Sequence, residues 1–312
     1  MNTRNHPDVL PENVNIKGSR PSLIKYRQMV CHLFAFFAVM VWGTTFVSTK
    51  VLINSGLQPV EILLYRFVLA YIGLLIFSRH KIIANTWKDE LLMFFAGLCG
   101  GSLYFIAENT ALGITWASNV SLLICTAPIF TLFLARIFYK ERLWQKMLYG
   151  SLLALAGVGM VVLNGSLVLR INPLGDLLTL IAAILWALYC LILKRLGNAY
   201  STFFITRKVF FYGIVSLGIY FCFFPPELNI DLLSRPVVYL NLLFLGIVAS
   251  MLCYVMWNRA VRELGASKAA NYIYIIPLVT LVTSALVLSE TLTIVSLIGT
   301  ACIIGGVYMA ER

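Results

Sequence analysis

The sequence predicts an all-α integral membrane protein, and three observations lead to this fold class. The 312-residue chain is 60% hydrophobic and only 12% charged, which leaves too few charges to cover a water-soluble surface of this size. Its apolar stretches reach about 18 residues or more, the length that a membrane-spanning helix needs. A long segment of the first half also recurs in the second half, as described below. Since the apolar runs are continuous rather than alternating, they favour helices over a β-barrel.

Hydropathy places ten transmembrane helices along the chain. The predicted ranges are 30–52, 59–78, 90–112, 115–137, 145–164, 175–195, 203–224, 237–258, 267–288 and 292–310. The first 28 residues are polar, contain three prolines and carry mixed charge, so we expect a disordered cytoplasmic tail over 1–28. No apolar core lies near Met1, and no cleavable signal peptide is predicted. All seven cysteines fall inside predicted spans, where we interpret them as small packing residues.

The second half of the chain repeats the first. Shifting residues 97–160 by 149 positions, without a gap, gives 17 identities in 64 positions. So apolar a composition would give about five by chance. The identities include Gly97/Gly246, Asn109/Asn258, Ala111/Ala260, Ala117-Ser118/Ala266-Ser267, Pro128/Pro277, Glu141/Glu290, Leu143/Leu292 and Gly150/Gly299. A fixed-offset repeat indicates one structural unit used twice, and we expect the two units at 30–164 and 174–310.

Lysine and arginine are unevenly divided between the predicted loops. With the N-terminus inside, 20 of the 24 lie on the cytoplasmic side, while the outer side has Lys50, Arg170 and Arg235, and Arg66 lies within a helix. This is the positive-inside pattern, which predicts a multi-pass protein of the cytoplasmic (inner) membrane with both termini in the cytoplasm. The net charge of +11 is therefore interpreted as a topology signal, and no nucleic-acid partner is predicted.

The loop charges also predict that the two halves are inverted. Five helices per repeat is an odd number, so the second copy must enter the membrane from the opposite side. The loop between predicted helices 4 and 5 carries four basic residues, whereas its counterpart between helices 9 and 10 carries none. Conversely, the loop between helices 3 and 4 is uncharged, and its counterpart carries Arg259, Arg262 and Lys268. The sequence is duplicated while the charges change loops, as inverted topology requires.

Several short motifs occur in a fixed order, and a weaker copy of the series follows in the second half. They are Trp42-Gly43-Thr44-Thr45-Phe46, Arg66-Phe67, Asn109-Thr110-Ala111-Leu112, Ala117-Ser118-Asn119, Pro128, Glu141 and the glycines of helix 5. In this order and spacing the chain resembles the EamA family of the drug/metabolite transporter superfamily. The resemblance covers about residues 30 to 310. It implies ten helices in two inverted halves and secondary transport, generally efflux of small metabolites, amino acids or drugs.

Glu108 and Arg66 are the candidate coupling residues. Glu108 lies about one turn from the outer end of helix 3, where a carboxylate is costly, and Arg66 lies about 10 Å into helix 2 from the same side. Adjacent antiparallel helices would bring them together as an ion pair. Our hypothesis is that Glu108 titrates or contacts substrate and that Arg66 tunes its acidity. The alternative is a purely structural ion pair or a glutamate that reaches the surface.

Pro128 and Pro277 lie in the middle of helices 4 and 9, where proline removes a backbone hydrogen bond and kinks the helix. Such paired kinks are candidates for gates, and a static packing kink is the alternative. We expect further side chains to line a central cavity. They are the polar Thr44, Thr45, Asn119, Thr126, Asn271 and Tyr274, with Trp42, Trp186 and Tyr189 as apolar walls.

Several other functions lack their motifs in the sequence. There is no GxxxxGK[ST] loop for ATP, no recognisable Ser/His/Asp grouping and no His, Asp, Glu or Cys set at metal-ligand spacing. We therefore predict no enzyme, no metal and no cofactor. The predicted partners are a small-molecule substrate and the lipid bilayer, with proton coupling as a hypothesis. The alternatives are an uncoupled facilitator or channel of the same fold and, less favoured, an intramembrane enzyme acting on lipid-linked substrates.

Glu141 and Glu290 precede helices 5 and 10, where a carboxylate interacts favourably with the positive end of the helix dipole. The sequence therefore favours a capping role for both residues.

Overall fold

The computed structural model describes residues 21–77, 82–114, 117–141, 145–163, 172–226, 230–288 and 293–311, and over these ranges the chain forms helices and no strands. We number the main helices in chain order. They are α1 (Pro21–Asn54), α2 (Pro59–Phe77), α3 (Trp87–Ile114), α4 (Ala117–Ile124 and Ala127–Tyr139), α5 (Gln145–Leu163), α6 (Pro173–Leu196), α7 (Thr202–Phe223), α8 (Pro236–Leu264), α9 (Ala266–Asn271, Tyr272–Ile275 and Ile276–Leu288) and α10 (Ile294–Glu311). A short helix, Ile230–Leu233, lies between α7 and α8.

The helices have the composition of membrane spans. Among the described residues, seven helices are long and apolar enough to cross a bilayer, and they belong to α1, α2, α3, α4, α6, α7 and α8. Many large apolar side chains are exposed on their outer faces, for example those of Phe36, Ile76 and Phe223, as expected for a surface solvated by lipid. The all-helical membrane fold is confirmed, whereas the number of ten spans stays a prediction.

The first helix is longer than hydropathy predicts. It begins at Pro21 rather than near residue 30, so the last residues of the predicted 1–28 tail are helical, while residues 1–20 lie outside the described ranges. Hydropathy detects only the apolar part of a helix, and the added turns carry Lys25 and Arg27. Proline is well suited to the first helical position because its missing N–H would have no partner there.

Contacts between the halves obey the symmetry that the sequence repeat requires. Helix α3 packs against α6 and α7, and the equivalent α8 packs against α1 and α2. Helix α4 packs against α6, and the equivalent α9 packs against α1. The pairs α2–α7 and α5–α10 each join a helix to its own repeat counterpart. This pattern places a pseudo-two-fold axis between the halves. The helices of each half pack mainly against helices of the other half.

Glycines bring α5 and α10 into close backbone contact. A Cβ added at Gly157 would lie 2.6 Å from the carbonyl oxygen of Gly299, and one added at Gly150 would lie 2.6 Å from that of Gly306. Residue numbers rise along α5 while those of the contacted residues fall along α10, so the two helices are antiparallel. The shift of 149 exchanges these two contacts, since 150 + 149 = 299 and 157 + 149 = 306. An inverted repeat requires this geometry.

Substitution of Gly306 tests the α5–α10 contact. A Cβ at this position would lie 2.5 Å from the oxygen of Gly150 and from the amide nitrogen of Ala154, so Gly306→Ala forces the helices apart. We expect a loss of stability of about 1–3 kcal/mol, seen as a lower melting temperature of the purified protein in detergent. The adjacent Gly305 has nothing within 4 Å of its added Cβ, so Gly305→Ala is the matched control and should leave the melting temperature unchanged or raise it. Equal melting temperatures for the two variants would contradict the proposed contact.

Candidate functional site

A cavity lies between the two halves of the bundle. Five of the thirteen residues that line it were expected from the sequence, namely Trp42, Thr45, Arg66, Glu108 and Trp186. The other eight are Phe46, Tyr104, Phe105, Ile124, Ala127, Tyr254, Ile273 and Ile276. Helices α1 to α4 contribute from the first half, and α6, α8 and α9 contribute from the second.

The apolar part of the lining lies on the pseudo-two-fold axis. Three pairs of lining residues are related by the repeat offset of 149, namely Phe105/Tyr254, Ile124/Ile273 and Ala127/Ile276. Trp42 and Trp186 are a further pair, offset by 144. Both members of each pair face the same space, so the cavity is formed at the point where the two copies of the repeat meet.

The charged part of the lining breaks that symmetry. Glu108 corresponds to Trp257 in the second half, and Arg207, the counterpart of Arg66, lies outside the cavity lining. Arg66 lies about two turns from the beginning of α2 and Glu108 about two turns from the end of α3. The polar side of the cavity therefore faces the end of the bundle where α2 begins and α3 ends.

Arg66 and Glu108 are both buried, and each has a specific partner. The Arg66 Nε donates a hydrogen bond of 2.9 Å to Ser250 Oγ, and its guanidinium carbon lies 4.4 Å from the centre of the Phe105 ring, a cation–π contact. Tyr104 donates a hydrogen bond of 2.8 Å from its hydroxyl to Glu108 Oε1. Among the described residues there is no direct ion pair between Arg66 and Glu108, contrary to our expectation. Their charged groups share one cavity and remain available to a third molecule.

Aromatic rings form a large part of the remaining lining. The Trp42 and Trp186 rings pack edge-on with centroids 5.3 Å apart, and Tyr104 packs against Trp186 at 5.1 Å. The Trp186 indole Nε1 is buried and has no hydrogen-bond partner among the described residues. A buried N–H without a partner is costly, so this donor is suited to an acceptor atom of a bound molecule.

The cavity is small in this conformation. Its volume is about 50 Å³, room for a few water molecules. Sites for organic ligands usually measure about 300–1,000 Å³. Binding of a metabolite therefore requires the lining side chains and their helices to move apart.

Five further predicted cavity residues do not line the cavity, namely Thr44, Thr126, Tyr189, Asn271 and Tyr274. Thr44 and Thr126 donate hydroxyl hydrogen bonds to backbone carbonyls of their own chain segments, Val41 and Leu123 respectively. The hydroxyl of Tyr189 donates to Asn258 Oδ1 at 2.7 Å in a buried position. Asn271 and Tyr274 are fully buried near Ser151 of α5. The side chain of Asn119 lies outside the described residues.

Pro128 and Pro277 each follow an interruption of their helix. Helix α4 is broken between Ile124 and Ala127, and Pro128 is the second residue of the segment that follows. In α9 a 3₁₀ turn, Tyr272–Ile275, precedes the segment that contains Pro277. Both interruptions lie beside the cavity, whose lining includes Ala127 and Ile276, the residues just before the two prolines.

At the other end of the bundle, charged and polar side chains connect the halves. Glu141 accepts from Lys194 Nζ and from Ser267 Oγ, both in the second half. These contacts give Glu141 a role that the sequence did not predict, a connection to α6 and α9 of the other half. The expected capping role stays a prediction, because residues 142–144 lie outside the described ranges. Glu290 lies outside the described residues. The partly exposed Glu141–Lys194 pair contributes little to stability, but its opposite charges favour this one alignment of the two halves.

Two further contacts occur at the same end. Glu90 of α3 pairs with Lys208 and accepts from the Tyr212 hydroxyl, both on α7. The hydroxyl of Tyr200, between α6 and α7, donates to Asp89 Oδ2 at 2.8 Å. Burial and this hydrogen bond to a carboxylate raise the pKa of Tyr200, so it stays protonated and keeps donating at neutral pH. In this conformation the halves are joined at this end, which we call the basic end because of its Lys and Arg residues.

Sequence reasoning missed eight lining residues, most of them apolar. A membrane helix has apolar residues on every face, so composition does not distinguish a lining residue from a lipid-facing one. The repeat contains a signal that could have found six of them. These six form the three pairs related by the 149-residue offset, so identifying one member of a pair as a lining residue predicts the other. Tyr104 is one turn from Glu108, a spacing that places both on one helical face.

The duplicated bundle, its antiparallel contacts and its axial cavity define a membrane transporter of the inverted-repeat class. The model of the EamA-like transporter family matches residues 29–163 and 173–311. The chain therefore belongs to the EamA-like transporter family.

Curated relatives agree with this assignment. An uncharacterized transporter of Archaeoglobus fulgidus is 27% identical over 282 residues, covering 89% of this chain and 96% of the relative. A protein of Escherichia coli named "Probable amino-acid metabolite efflux pump" is 27% identical over 291 residues, covering 89% and 93%. A solved crystal structure superposes with a TM-score of 0.72 at 18% identity, over 90% of this chain and 97% of the other, and shows that the fold is shared.

The hydrogen bond between Arg66 and Ser250 gives a stability prediction. In Ser250→Ala the buried Arg66 Nε–H loses its acceptor, and we expect a cost of about 1–3 kcal/mol, measured as a lower melting temperature of the purified protein. Ser234→Ala is the control, because the Ser234 hydroxyl donates to Asp231 O at an exposed site. If Ser250→Ala melts at the same temperature as Ser234→Ala, the hydrogen bond does not hold Arg66 in the cavity.

Proposed function

We propose that this chain exports a small zwitterionic metabolite with an apolar side group, such as an amino acid or its derivative, across the cytoplasmic membrane by alternating access. The observation that carries the proposal is the composition of the cavity. It presents one cation, one carboxylate and an aromatic wall in the same buried space.

Each part of the cavity matches one part of such a substrate. The Arg66 guanidinium offers N–H donors in the planar arrangement that suits a carboxylate. Glu108 suits an ammonium group, and the buried Trp186 Nε1 offers a further donor to an acceptor atom. The rings of Trp42, Trp186 and Tyr104 suit an apolar side group. A zwitterion also brings no net charge into the membrane, which lowers the cost of burying it.

The names of two relatives support the substrate class. The Escherichia coli protein and a Salmonella typhimurium protein that is 28% identical over 298 residues both bear the name "Probable amino-acid metabolite efflux pump". The same names favour transport without catalysis and movement out of the cell.

The proposed orientation follows from charge. The basic end lies in the cytoplasm, with both termini, because positively charged loops are retained there. The polar side of the cavity then faces the outside. In the proposed orientation the inter-half contacts of Glu141, Glu90 and Asp89 lie at the cytoplasmic end, where they would hold the halves together. Opening to the cytoplasm would break these contacts, with bending at Pro128 and Pro277.

Glu108 is the proposed proton carrier. A carboxylate in a cavity that is opened alternately to each side of the membrane can bind a proton on one side and release it on the other. This role favours a coupled exporter over an uncoupled facilitator, because a facilitator has no need of a buried acid.

The substrate class can be tested by competition. The assay is counterflow of radiolabelled leucine into proteoliposomes that contain the purified protein. Three unlabelled competitors share the same apolar group. Leucine carries both charges, leucinamide carries only the positive charge, and 4-methylpentanoate carries only the negative charge. We expect leucine to compete at concentrations about tenfold or more below the other two, because each of them lacks one charge-assisted hydrogen bond. Equal competition by a compound with a single charge would contradict the zwitterion proposal.

Proton coupling is tested with Glu108→Gln in the same vesicles. We expect wild-type flux to respond to an imposed pH gradient and the Glu108→Gln flux to be insensitive to it, because the amide cannot bind a proton. Glu263→Gln is the matched control at the basic end and should respond as the wild type does. A Glu108→Gln protein whose flux still follows the gradient would rule out this carboxylate as the proton carrier.

A further inference from the structure

Helices α3 and α8 are both π-helical over short stretches, and at equivalent positions of the repeat. The stretch in α3 is Leu98–Ser102 and the stretch in α8 is Phe244–Leu252. The offset of 149 maps residues 98–102 onto 247–251, which lie inside the second stretch. Such bulges are rare and are frequently found at functional sites, since they disturb the regular hydrogen-bond ladder of the helix.

The α3 bulge departs from helical geometry at Gly101. This residue has φ −127° and ψ −112°, values outside the helical region, so we call the bulge a joint between the two parts of α3. The next residue on the N-terminal side, Gly100, has no space for a Cβ because the ring of Tyr189 packs directly against it. The helix therefore changes course where it packs most closely against the other half.

One carbonyl in each bulge accepts a hydrogen bond from an aromatic side chain of the opposite half. The Tyr254 hydroxyl, from the second half, donates to Gly100 O at 2.8 Å. The Trp42 indole Nε1, from the first half, donates to Ala249 O at 2.9 Å. Gly100 and Ala249 are repeat equivalents, since 100 + 149 = 249. The two donors are not repeat equivalents of each other. The equivalent carbonyl in each half therefore accepts a hydrogen bond from a different type of donor, a phenol in one half and an indole in the other.

Both donors line the cavity. Their rings lie 5.7 Å apart, and Trp42 also contacts Trp186 and Trp257. A cavity of about 50 Å³ cannot hold an organic molecule unless such rings move. Movement of Trp42 strains the bond to the α8 bulge, and movement of Tyr254 strains the bond to the α3 bulge.

We infer that Trp42 and Tyr254 are positioning residues that couple occupation of the cavity to two paired joints, one in α3 and one in α8. With the cavity contracted, each side chain holds the joint of the opposite half closed. When a molecule fills the cavity and displaces the rings, both joints are released together. This inference requires the transporter fold but not the zwitterionic substrate class.

Amide hydrogen exchange tests the coupling without any substrate. In Tyr254→Phe the ring stays and the donor is lost, so amides of the α3 bulge at 97–103 should exchange about fivefold faster, the effect of one hydrogen bond. In Trp42→Phe the faster exchange should occur in the α8 bulge at 246–252. Each substitution thus acts on the helix of the other half, a crossed pattern that general destabilisation would not produce. The measurement uses the full-length protein in nanodiscs with mass-spectrometric detection.

Tyr139→Phe is the matched control, because the Tyr139 hydroxyl also donates to a backbone carbonyl, Leu191 O at 2.9 Å, but on α6. It should leave exchange at 97–103 and 246–252 unchanged.

The inference is overturned if the two bulges exchange at wild-type rates in both the Tyr254→Phe and the Trp42→Phe variants. It is equally overturned if Tyr254→Phe accelerates only α8, or if Tyr139→Phe has the same effect. Tyr254→Phe and Trp42→Phe are independent tests, so if one variant does not express, the other still tests the inference. A failed leucine counterflow would leave these expectations intact, which separates this test from that of the proposed function.

Discussion

Helices in a hydrocarbon solvent gain little from burying apolar side chains against one another, so the two halves must associate by close backbone packing. Glycines provide it here. Gly150 and Gly157 meet Gly306 and Gly299 across the α5–α10 crossing. Gly97 of α3 packs against α7, and its equivalent Gly246 of α8 packs against α2. Because the sequence is duplicated, each of these contacts has an equivalent in the other half, and the axis that relates the copies passes through the cavity.

Departures from this symmetry coincide with the chemistry of the cavity. The walls are made by equivalent pairs such as Phe105 and Tyr254, while Glu108 is replaced by Trp257 in the second copy. A buried carboxylate is costly in a membrane, and placing it in only one half limits that cost and gives the cavity a polar side. The duplicated scaffold thus supplies access from two sides, and a few unpaired residues supply recognition.

Much of the fold could be predicted from the sequence because topology leaves strong signals. The distribution of Lys and Arg indicated inversion, and the offset of 149 identified the helices that must meet. Rotation of each helix about its own axis could not be predicted, since both lipid and protein neighbours accept apolar side chains. Tyr189, Asn271 and Tyr274 were assigned to the cavity for this reason, and the structure places them behind it. The π-helical bulges leave no compositional trace beyond the glycines at Gly100 and Gly101.

Labelling of repeat-equivalent positions from each side of the membrane tests the inverted duplication most directly. Ile114 and Glu263 are equivalents, since 114 + 149 = 263, and both are at least partly exposed in the structure. In a background without the exposed Cys222, Ile114→Cys should react with a membrane-impermeant maleimide only from outside the cell. Glu263→Cys should react only after the cytoplasmic face is opened. Reaction of both cysteines from the same side would mean that the two copies are parallel, and would contradict an axial cavity opened alternately to each side.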